Sequence, residues 1–357
     1  MLANIQALRA LAALLVVVVH LETLGGPIGL GKPIFGLFAV GVDLFFVISG
    51  FIMVYTTSRR PTRPDAFLLN RLLRIAPVYW LLTLAVFVLA LASPSLLGTT
   101  RADWGGLVRS LLFIPYERAD GTVRPVLFVG WSLNLEMAFY LVFVAALGIR
   151  GAGLRVAMGI STLVLAVALG SAFGSQLSVP LRFLTQPLLL EFACGMALGW
   201  LFPRLRPSHA MTRAAVLIAP AALLALVLAA MIPTSGGWPL SALPATVLVL
   251  AALIAEKGGV VADHRFVQAT GDASYSLYLV HPFVTQAWTI LASRAGIVSA
   301  QSAPFLMLVA LVSAIGTAIV FHRTVEKPLN GYVQRRLEQA SARRKRADLR
   351  RTVELAE

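Results

Sequence analysis

The chain has 357 residues, of which 58% are hydrophobic and 13% charged, and its mean hydropathy is +0.83. That composition excludes a water-soluble domain and reads as an all-α polytopic membrane protein. A net charge of +14 would suit nucleic acid, but the cationic side chains cluster in alternate gaps between apolar runs, which is the signature of membrane topology.

About ten runs are long enough to cross a hydrocarbon core of about 30 Å. They lie near residues 7–24, 34–56, 76–93, 127–148, 155–172, 187–202, 212–232, 240–256, 273–293 and 304–322. The first, NIQALRALAALLVVVVHLETLG, carries Arg9 and His20, eleven residues apart. Eleven residues is close to three helical turns, so one face bears a cation low and an imidazole high, about 16 Å apart. A charge at the membrane midplane costs at least about 2.5–3.5 kcal/mol, so such groups mark function by default. The run lacks the basic start and small-residue exit of a cleaved signal peptide and is expected to stay in the mature chain.

The second predicted span, GLFAVGVDLFFVISGFIMVY, places Asp43 in its outer half and Ser49 deeper. Gly41, Ser49 and Gly50 also suit close helix packing, so a direct role for Asp43 stays open at this point. The gap that follows holds Arg71 and Arg74 at i, i+3 on a predicted short interfacial helix, with Phe67, Leu68, Leu72, Leu73 and Ile75 on its apolar side. Paired guanidiniums bind phosphate through bidentate hydrogen bonds, and contact with lipid headgroups is the plainer use of the same pair. Between spans three and four, Asp103, Glu117 and Asp120 interleave with arginines, which predicts a small folded cap.

The fourth span puts Glu136 about one and a half turns below Trp131, at a depth comparable with His20. The sixth contains Cys194, the single cysteine, read as a packing residue. The ninth carries Tyr275 and Tyr278 low and His281 near the middle, where Pro282 distorts the helix and polar repair is one use for the imidazole. Residues 1–330 read as one membrane domain and 331–357 as a basic cytoplasmic tail that contacts anionic lipid. With the N-terminus inside, 22 of the 30 lysines and arginines fall on the inner side and seven on the outer, while Arg9 lies within the first span. The positive-inside rule then predicts both termini in the cytoplasm.

His20, Asp43 and Glu136 thus share the outer half of the membrane. A carboxylate beside an imidazole in a low-dielectric pocket supports general-base chemistry, and structural pairing across helices is the competing reading. There is no phosphate-binding glycine loop, no dinucleotide fingerprint, no nucleophile elbow and no Cys/His spacing for zinc, so no metal is expected. A transporter of a polar solute or acyl donor is the alternative, because buried charges also mark transport paths.

Five pieces of the chain together resemble the membrane-bound acyltransferase 3 family. They are Arg9 and Ala10 followed by an intramembrane His20, GVDLFFVISGF (Gly41 to Phe51), RLLRIAPVYW (Arg71 to Trp80), WSLNLEMAFY (Trp131 to Tyr140) and SYSLYLVHP (Ser274 to Pro282). They occur in the family's order over nearly the whole chain. The opening run with FFVISGFIM is similar to the branch that O-acetylates bacterial exopolysaccharides.

The resemblance implies transfer of an acyl group, usually acetyl, from cytoplasmic acetyl-CoA or another acyl-CoA to a hydroxyl of a glycan or lipid-linked sugar. It implies a multi-pass protein of the bacterial inner membrane, with membrane lipids but no nucleic acid as partners. On this reading His20 is the general base, with Glu136 orienting it or accepting its proton, and a covalent acyl-histidine is an open variant. Arg9, Arg71 and Arg74 would bind the CoA moiety, while Asp43, Ser49, Tyr278 and His281 would line the cavity.

Overall fold

A computed structural model describes residues 2–60, 62–93, 101–232, 240–336 and 339, and among them every extended regular element is helical. The chain runs through α1 (Ala3–Val19), α2 (Glu22–Gly25), α3 (Lys32–Gly36), α4 (Gly41–Arg59), α5 (Pro64–Ala92), α6 (Trp104–Leu111), α7 (Trp131–Leu147) and α8 (Ala152–Phe173). It continues with α9 (Val179–Leu184), α10 (Leu189–Leu201), α11 (His209–Ala229), α12 (Ala242–Lys257), α13 (Arg265–Asp272), α14 (Ser274–Arg294) and α15 (Ala303–Phe321).

Seven helices among the described residues are long and apolar enough to cross a membrane, or eight if the bent first segment is one span. Two of the ten predicted spans fall outside that set for physical reasons. The helix α12 has 16 residues, about 24 Å of rise. The helix α14 has 21 residues, but Ser274, Tyr275, Ser276, Tyr278, His281, Thr285 and Gln286 make it polar. Most of the basic tail lies outside the described residues.

Two local expectations change. The separate interfacial helix predicted around Arg71 and Arg74 does not exist; α5 runs unbroken through Pro77 for 29 residues. A proline inside a span forfeits one backbone hydrogen bond, and neighbouring helices make the interruption tolerable. The first segment, by contrast, is broken: α1 ends at Val19 and the chain resumes at Glu22 with a bend of 57°. His20 sits at this break as the C-cap of α1.

Backbone contact between α4 and α10 organises the core. A Cβ on Gly195 would collide with Val47 O, one on Gly50 with Phe192 O, and one on Gly199 with Phe51 O. Small residues at such positions let helices approach closely where lipid offers no hydrophobic drive for association. Phe46 and Phe139 stack on Phe192 from either side, with ring centroids 4.5 and 4.4 Å away. The start of α1 is tied to the end of α12, where Glu256 accepts from the free N–H groups of Ala3 (2.9 Å) and Asn4 (2.6 Å). The predicted cap between α5 and α7 is folded: Asp103 caps α6 through Gly105 N and Gly106 N, and Glu117 pairs with Val123 in an antiparallel bridge.

Candidate active site

A cavity with about 750 Å³ of non-atom space, partly open to solvent, lies between α1, α4, α5, α7 and α14. Arg9, Arg71 and Arg74 line it, together with Glu136, Ser49, Ser132, Tyr140, Tyr275 and Tyr278. Three guanidiniums therefore converge from two helices. Because α5 is continuous, Arg71 and Arg74 project into the bundle instead of along the membrane surface. Arg9 is buried and donates from Nη1 to Gln6 Oε1 at 2.8 Å, while Gln6 Nε2 donates in turn to Asp272. Arg71 lies over the Phe67 ring, and its Nε is buried with no hydrogen-bond partner among the described residues.

Glu136 supplies the negative charge of this cavity. It accepts from Tyr140 Oη at 2.5 Å and from Ser49 Oγ at 3.1 Å. Tyr140 follows Glu136 by four residues on α7, so the two share a helix face by spacing alone. The buried Arg9 with the half-buried Arg71 and Arg74 around a single carboxylate gives a cationic surface suited to an anion.

The lining ends at a pair of hydroxyls. Tyr278 Oη donates to Val129 O at 2.8 Å and lies 2.6 Å from Ser132 Oγ. Beyond it stands His281, one turn further along α14, with its ring 6.2 Å from that of Tyr278. His281 is fully buried and faces His20, with ring centroids 4.8 Å apart. Phe128 closes on the other side of His20 at 5.3 Å.

Hydrogen-bond partners assign the tautomers of this pair. His281 Nδ1 lies 2.9 Å from Leu277 O, and a carbonyl only accepts, so Nδ1 carries the proton. His281 Nε2 in the neutral ring is then an acceptor, 3.2 Å from His20 Nδ1. His20 Nδ1 also lies 3.0 Å from Val16 O, which again requires Nδ1–H. The nitrogen of His20 left with a free lone pair is Nε2. An imidazole held in one tautomer by the other ring is the arrangement a general base needs.

The nine residues singled out in the sequence thus divide into three groups. Arg9, Arg71, Arg74, Ser49, Glu136 and Tyr278 meet at one cavity. His20 and His281 meet each other just outside its lining, and the hydrogen bonds of Glu136 go to Ser49 and Tyr140 instead of His20. Asp43 lies off the cavity. Six residues separate it from Ser49, about 240° around the axis, so the two cannot share a face; Asp43 Oδ1 accepts from Ser241 Oγ instead. Sequence reasoning did not single out Tyr140, whose spacing from Glu136 is the usable signal, or Glu191, a carboxylate inside an apolar run and therefore a candidate on cost alone.

Residues 2–323 match the acyltransferase 3 family, described as "Acyltransferase domain". The chain is 36% identical over 307 residues to the "Exopolysaccharide production protein ExoZ" of Rhizobium meliloti (strain 1021), covering 83% of this chain and 90% of that protein. It is 32% identical over 156 residues to a protein of Komagataeibacter xylinus named as a membrane-bound transacylase, BcsY, covering 40% and 37%. No solved structure matches the chain.

Proposed function

Since the chain belongs to the acyltransferase 3 family, we propose that it is a membrane O-acyltransferase that moves an acyl group, acetyl in the first instance, from cytoplasmic acyl-CoA to a hydroxyl of a glycan or lipid-linked sugar. The observation that carries this reading is the cavity into which Arg9, Arg71 and Arg74 converge, with the ordered His20–His281 pair immediately beyond its last hydroxyls. The similarity to an exopolysaccharide production protein over most of the chain supports a glycan acceptor. Ten spans, with α12 and α14 as the two below the usual length or hydropathy, both termini inside and a bacterial inner-membrane location complete the proposal.

In this reading Arg9, Arg71 and Arg74 bind the donor's phosphates, and the buried Nε of Arg71 finds its missing acceptor there. Glu136 balances the guanidiniums and, with Ser49 and Tyr140, shapes the path of the thioester arm. The Tyr278–Ser132 contact parts so that the thioester reaches the histidines. The acceptor hydroxyl gives its proton to His20 Nε2, its oxygen bonds to the thioester carbon, the carbon–sulfur bond breaks, and the imidazolium returns the proton to the departing thiolate. His281 is a positioning residue: it keeps the lone pair of His20 on Nε2.

Mass spectrometry of cell-surface glycans, with and without the gene, tests the function. Loss of acetyl mass from one sugar, restored by the wild-type chain and not by His20→Ala, is the expected result. Unchanged glycans, together with no transfer from acetyl-CoA by purified protein in detergent, would overturn it. Transfer in detergent also separates the enzyme from a transporter, which needs a gradient across a closed membrane.

A further inference from the structure

A second set of buried ionisable groups lies outside the cavity and takes no part in the proposed transfer. Asp43 stands in the first turn of α4 and is 9% exposed; Glu191 stands in the first turn of α10 and is 0% exposed. Gly195 meets Val47 and Gly199 meets Phe51 across these helices, so one turn earlier in the same register Asp43 comes opposite Glu191. Ser241, at the head of α12, donates its hydroxyl proton to Asp43. Both carboxylate oxygens of Glu191 are buried without a hydrogen-bond partner among the described residues. The described salt bridges, Arg63–Asp65 and His322–Glu326, include neither acid, and the other titratable group facing the pair is Cys194, three residues further along α10.

Two charged carboxylates side by side in an apolar interior repel each other and lose their hydration, a cost that no ion pair among the described residues repays. Gly50 and Gly195 let α4 and α10 approach to backbone contact, which keeps the two acids close together in the native packing. One proton converts the clash into an O–H···O hydrogen bond, which also gives one of the two orphaned Glu191 oxygens a partner. One residual negative charge is acceptable, since Ser241 donates to it. A hard cation in place of the proton would want six or more oxygens, and this pocket offers two carboxyls and a hydroxyl.

We propose that Asp43 and Glu191 form a proton-binding site at the junction of α4, α10 and α12, holding one proton between two carboxyls and carrying a single negative charge. The site belongs to the pair and not to either acid. Its consequence reaches the cavity, because α4 presents Val42, Ser49 and Met53 to that space from its other face. Loss of the proton sets two like charges at the α4–α10 contact and loosens that wall. At neutral pH the folded chain holds a proton that the unfolded chain releases, so stability falls as pH rises.

Infrared spectroscopy on the full chain purified in detergent tests the site without reference to catalysis. Wild type is expected to show a protonated-carboxyl C=O band at neutral pH, and E191Q to lose it, since an amide donates to Asp43 without a titratable proton. The thermal midpoint of wild type should fall on raising the pH, with that of E191Q unchanged. Absence of the band in wild type would overturn the proposal, as would a band retained in both E191Q and D43N. So would a midpoint that rises with sodium or potassium at fixed ionic strength, which would make the pair a cation site. Should E191Q fail to fold, the wild-type spectrum and D43N still decide.

Discussion

The cost of placing a charge in lipid makes Arg9, Asp43, Glu136 and Glu191 the most informative side chains of the molecule, and each is answered differently. Arg9 leans on Gln6, Glu136 on two hydroxyls, and Asp43 with Glu191 on a shared proton. His20 is an imidazole at a helix break, held by a second imidazole. Replacing it by alanine should lower acyl transfer by about 10²–10⁴-fold while donor binding, measured by equilibrium dialysis, stays within twofold. Replacing His281 by glutamine should lower kcat with little change in donor KM and shift the acid limb of the pH profile, as loss of a tautomer-fixing partner requires. Arg71→Lys keeps the charge but loses the planar fork, so donor KM should rise by about tenfold, near 1.4 kcal/mol, with kcat nearly unchanged. An unchanged KM would remove Arg71 from the donor site.

At the scale of elements, helix positions were largely legible, because apolar runs of membrane length leave few other folds open. Their interruptions were less so. The bend at His20 has no proline or glycine within it to announce it, whereas the separate interfacial helix expected around Arg71 and Arg74 is simply the start of α5. Both outcomes are set by what packs against the segment. The α4–α10 contact is the element pair most exposed to a single substitution: Gly195→Ala places a Cβ into Val47 O. Overpacking of this kind should cost about 1–3 kcal/mol, read as a fall in thermal midpoint in detergent, and the Ser49–Glu136 contact on the far side of α4 should weaken with it, lowering activity more than stability alone explains.

At the scale of the whole molecule, the charge distribution predicts both termini in the cytoplasm and the α6 cap outside. The single cysteine makes this testable by labelling. In a Cys194→Ser background, a cysteine at Asp120 should react with an impermeant maleimide in intact cells, and one at Arg206 only after permeabilisation; the reverse pattern would invert the topology. That an all-helical, multi-pass membrane protein with arginines, a glutamate and a histidine inside its bundle follows from this chain was available from composition and hydropathy. Both depend on side-chain transfer energies that hold residue by residue, whatever the neighbours. Which of those groups meet was decided by tertiary structure. Depth along a helix is a property of spacing, but pairing depends on how each helix is rotated and against which neighbour. That rotation took Glu136 to the arginines, gave His20 a histidine for a partner, and turned Asp43 away from the cavity to Glu191.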